Sequence, residues 1–90
     1  MIDVRTAVTA AYNYIKSLQD VIDSPLPDLR LEEVELSDDD KFWLITLGFD
    51  ATEKNQSGIL NYVRRSERIY KLFKVNSNTG QVEAMKIREV

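Results

Sequence analysis

The chain reads as an α+β domain in which an N-terminal helix packs on one face of a four-stranded antiparallel sheet. Three observations predict this. Apolar residues recur at three- and four-residue steps through the first 22 positions, period-two runs fill much of the remainder, and turn signals separate those runs. The strands form two hairpins joined by a long loop, and residues 1–90 make one domain.

Val4, Ala7, Val8, Ala11, Ile15, Leu18 and Ile22 lie on one stripe of a helix over residues 3–22. Asp3 places a short acceptor ahead of the first periodic residue, as an N-cap does. Ala7 and Ala11 are small enough to allow close approach to a sheet. Tyr12 and Tyr14 flank the stripe with apolar rings and wet hydroxyls. Ser24-Pro25-Leu26-Pro27 ends the helix, because proline lacks a donor and restricts the residue before it.

The first strand covers residues 31–36, with Val34 and Leu36 on one face and Glu33 and Glu35 on the other. Ser37-Asp38-Asp39-Asp40-Lys41 is a solvated reversal. The second strand covers 42–50. Its Trp43, Ile45, Leu47 and Phe49 point one way and offer a seat for the helix, so Trp43 is expected to be largely buried there. Leu44 and Thr46 point the other way, and Gly48 contributes no side chain. Residues 51–63 carry no clear periodicity and fit either the start of a long strand or a loop over the sheet edge. The third strand covers 64–75. In it Ile69, Phe73 and Val75 share a face with Lys71, opposite Tyr70 and Leu72. After the turn Asn76-Ser77-Asn78-Thr79-Gly80, the fourth strand covers 81–89. Val82 and Ala84 are in phase, then Met85 and Ile87, and a bulge near Ala84 would let both pairs reach the core.

Composition bounds the rest. Ninety residues bury roughly 60–70% of their unfolded surface, enough for one modest core but not for a deep, enclosed active site. With 43% apolar and 30% charged residues the chain is globular rather than disordered. No run approaches a membrane span, and the start lacks a charged-then-apolar leader, which makes a cytoplasmic location the default expectation. The net charge of −3 is unevenly placed: residues 1–50 sum to −7 and residues 51–90 to +4. Acidic strands lying beside basic strands would explain that, as would two oppositely charged surfaces.

Tyr70-Lys71-Leu72-Phe73-Lys74-Val75, followed by Thr79-Gly80-Gln81-Val82, resembles the PepSY-like and cystatin-like small domains. Glu33-Val34-Glu35-Leu36 and Trp43-Leu44-Ile45-Thr46-Leu47 extend the likeness over most of residues 1–90. The resemblance implies a non-catalytic module that binds or inhibits peptidases or other proteins.

The chain has neither histidine nor cysteine, so thiolate chemistry and histidine-based catalysis are absent. The acidic group Glu32, Glu33, Glu35, Asp38, Asp39 and Asp40 lacks the spacing of a calcium loop; no metal and no cofactor are expected. Arg64, Arg65, Arg68, Lys71 and Lys74, interleaved with Tyr62 and Tyr70, have the makeup of a nucleic-acid strand, which the net negative charge disfavours. The function expected is therefore a non-enzymatic, protein-binding module: an inhibitor, an immunity-type protein or an adaptor. Its partner would be another protein or a second copy, with no membrane involved. The rivals are a small-ligand-binding or enzymatic cystatin-like domain and nucleic-acid binding through the basic strand. The expected partner surface is the sheet face opposite the helix together with residues 51–63, carried by Tyr62, Arg65, Arg68, Tyr70 and Leu72, since tyrosine and arginine dominate interface hot spots.

Overall fold

The computed structural model describes residues 1–22, 26–50 and 68–88. Helix α1 spans Val4–Ser17, and a single turn, α2, spans Gln19–Ile22. Strands β1 (Arg30–Leu36), β2 (Phe42–Asp50), β3 (Arg68–Asn76) and β4 (Val82–Arg88) follow. They form one sheet in the order β1-β2-β3-β4, antiparallel throughout, with α1 packed on one face. This is the α+β class the sequence predicts. The part of the third strand expected at 64–67 lies outside the described residues.

Asp3 caps α1. Its backbone is extended, and its carboxylate accepts the Thr6 N–H at 2.8 Å. That backbone hydrogen bond holds the Asp3 carboxyl below its ordinary value. The helix expected to reach residue 22 instead breaks at Leu18, whose N–H turns back to the Ile15 carbonyl at 3.2 Å. The Ser17 hydroxyl donates to the Tyr14 carbonyl at 2.7 Å and competes with the regular ladder. Leu18 is still half-buried, whereas Val21, off the stripe, is 78% exposed.

The core is the contact between Ala7, Ala11 and Ile15 of α1 and Ile45, Leu47, Phe49, Phe73 and Val75 of the two central strands. The alanines bring the helix backbone close to the sheet. Tyr14 meets Phe73 edge-on, with ring centres 6.2 Å apart and planes at 79°. Trp43 is only half-buried, contrary to the expectation from its parity. It pairs with Leu36 and Val75 near one end of the sheet, ahead of the α1 contact, and its indole N–H donates to the Ile2 carbonyl at 3.2 Å. The polar end of the ring is thus used to anchor the chain entering α1.

Two bulges set the faces. In β1, Leu31 pairs with Leu47 and Glu33 with Thr46, which leaves Glu32 as the extra residue. In β4, Ala84 pairs with Lys74 and Val82 with Val75, which leaves Glu83 as the extra residue. The parity change anticipated near Ala84 is therefore real, but it falls one residue earlier. Val82 and Met85 pack against the core, whereas Ala84 goes to the opposite face and Ile87 is 73% exposed.

One end of the sheet is tied by Ser77, whose residue is 1% exposed. Its hydroxyl donates to the Asp40 carbonyl at 2.7 Å, its N–H to the Lys41 carbonyl at 2.9 Å, and its carbonyl accepts the Ile2 N–H at 2.6 Å. Both hairpin turns and the N-terminal segment therefore meet at one serine.

Candidate functional site

The sheet face turned away from α1 is built in rows by the antiparallel register. Glu35, Leu44, Lys74 and Ala84 form one row; Glu33, Thr46, Leu72 and Lys86 form the next; Arg30, Gly48, Tyr70 and Arg88 follow. Phe42 and Asn76 close the row at the turn end. Phe42, Leu44, Tyr70 and Leu72 of the middle strands and Ala84 of β4 are all half-buried and make an apolar band. The Lys74 ammonium stands 4.2 Å from the centre of the Phe42 ring, a cation–π contact.

The charges on this face are organised by two arginines. Arg68 donates through Nη1 to the Asp28 carbonyl at 2.9 Å and to Asp28 Oδ2 and Asp50 Oδ1, both at 3.0 Å. Through Nη2 it donates to Glu32 Oε2 at 2.5 Å. The Glu32 carboxylate, with Asp50 and Asp28 behind it, raises the Arg68 pKa further above its already high value. Arg88 donates through Nη1 to Thr46 Oγ1 at 2.8 Å and also pairs with Glu33.

The acidic strand β1 and the basic strand β3 are not neighbours, because β2 lies between them. The charge asymmetry of the sequence is therefore answered by arginines that reach over β2. Residues Thr46 and Gly48 make this possible by being short. A Cβ at Gly48 would lie 2.6 Å from Glu32 Oε2 and 3.1 Å from Arg68 Nη2.

Of the residues the sequence singled out, Arg68, Tyr70 and Leu72 share this face at alternate positions of β3. Tyr62 and Arg65, and the 51–63 segment, lie outside the described residues. Arg68 has its donors directed at carboxylates of its own chain and its side chain is 18% exposed, so Tyr70 and Leu72 are the better candidates for contact. The basic run does not form one stripe. Lys71 sits on the helix side between Leu47 and Ile87, while Lys74 is on the open face over Phe42. Arg88, Lys86 and Phe42 join the face without having been singled out. Phe42 was legible from its parity with Leu44. Lys86 and Arg88 depend on where the β4 bulge falls.

Grooves also lie elsewhere among the described residues. One of about 620 Å³ runs between α1 and β1, lined by Val4, Arg5, Val8, Thr9, Leu31 and Val34. One of about 380 Å³ lies along α1 at Arg5, Thr6, Thr9, Ala10 and Asn13. Both are wide open, and Arg5 is the one ionisable group in either lining. The acidic turn uses its carboxylate internally: Asp39 Oδ1 accepts the Ser37 hydroxyl at 2.7 Å and the Lys41 N–H at 3.0 Å. Those bonds, the serine's first, hold the Asp39 pKa below its ordinary value. Among the described residues no group of His, Cys, Asp and Glu has the arrangement of a metal site, and no helix is long and apolar enough to cross a membrane. Comparison with protein families, with curated proteins and with solved structures gave no match to this chain.

Proposed function

We propose that this chain is a non-catalytic protein-binding module of the inhibitor, immunity or adaptor kind, docking through the sheet face opposite α1. The observation that carries the reading is the apolar band of Phe42, Leu44, Tyr70, Leu72 and Ala84 on that face. Among the described residues no helix or strand packs on it. An apolar band that includes one lysine, Lys74, and is rimmed by Arg30, Glu33, Glu35, Lys86 and Arg88 has the anatomy of a protein interface, and tyrosine within it is among the residue types enriched at hot spots. The likeness to PepSY-like and cystatin-like domains supports the same class of function.

The test is a capture experiment with Tyr70→Ala combined with Leu72→Ala. These positions leave the Arg68 and Arg88 bridges intact, so circular dichroism should report an unchanged fold. A partner held by the unmodified protein should be lost. Retention at unchanged strength would sink the reading. Binding to DNA or RNA with an affinity that falls steeply as salt rises would replace it with nucleic-acid recognition by the basic residues.

A further inference from the structure

We draw no further inference here: the strongest candidate, the apolar groove of about 620 Å³ between α1 and β1, is a wide-open surface channel with Arg5 as its one ionisable group, and nothing among the described residues shows what covers it.

Discussion

Replacing Phe73 with alanine should be among the most damaging single changes to this fold, and more damaging than replacing the lone tryptophan. Phe73 is fully buried on β3, flanked across the sheet by Ile45 and Met85, and contacted edge-on by Tyr14 of α1. Truncating such a ring removes its transfer energy and leaves a cavity under the helix, together about 3–5 kcal/mol. A chain of this length has about 5–13 kcal/mol in all, so the loss is about a quarter of the total or more. Trp43 is half-buried, and its one polar contact is the 3.2 Å bond to the Ile2 carbonyl. Removing it forfeits part of a ring's burial and a bond that water can replace, about 2–3 kcal/mol. Urea unfolding followed by far-ultraviolet circular dichroism measures both variants without relying on tryptophan emission. The expected order is Phe73→Ala well below Trp43→Ala in midpoint. A Trp43→Ala variant equally or more unstable would place the centre of the core at the end of the sheet and refute the packing described.

Other perturbations address the polar framework. Arg68→Met should cost about 1.5–3 kcal/mol, because it leaves Asp28, Glu32 and Asp50 facing one another without their shared cation; Arg68→Lys should restore only part, and equal stability of all three proteins would contradict the bridge. Gly80, at φ +80°, lies in the left-handed region, and Gly80→Ala should lower stability by about 1–2 kcal/mol in chemical denaturation, whereas an unchanged midpoint would deny the turn geometry. Asp3 and Asp39 have folded-state pKa values below the ordinary 3.8, so their stabilisation is complete above that value and is lost as pH falls through the lowered folded-state values. Asp3→Asn with Asp39→Asn should therefore flatten the acid limb of a stability–pH curve, and an acid limb of undiminished steepness would show that other carboxylates dominate.

What the sequence made legible was whatever local chemistry decides by itself. The alternation of Trp43, Ile45, Leu47 and Phe49 placed the core face of β2. Asp3 announced the start of α1, and Asn76 to Gly80 the last turn. What it hid depends on register. One extra residue, Glu83, decides whether Ala84 or Met85 faces the helix, and periodicity locates such an inversion only to within a residue or two. Trp43 has core parity, yet its burial depends on where along the strand the helix crosses, which parity does not encode. The basic run of β3 looked like one patch because sequence neighbours were counted together, whereas the pleat sends Lys71 and Lys74 to opposite faces. Arg88 was silent for a different reason: its partners, Thr46 and Glu33, are 42 and 55 residues away and become neighbours only through the order of the strands.

The most direct test of the open face as the binding surface is methyl NMR of the full chain, recorded as the concentration of a captured partner is raised. The Leu44 and Leu72 methyl groups report on that face, while those of Val4, Val8 and Leu31 report on the groove between α1 and β1. Progressive, saturable shifts at Leu44 and Leu72, with Val4, Val8 and Leu31 unmoved, are the expected result. Shifts concentrated at Val4, Val8 and Leu31 instead would place recognition on the other side of the sheet and contradict the function proposed for this fold.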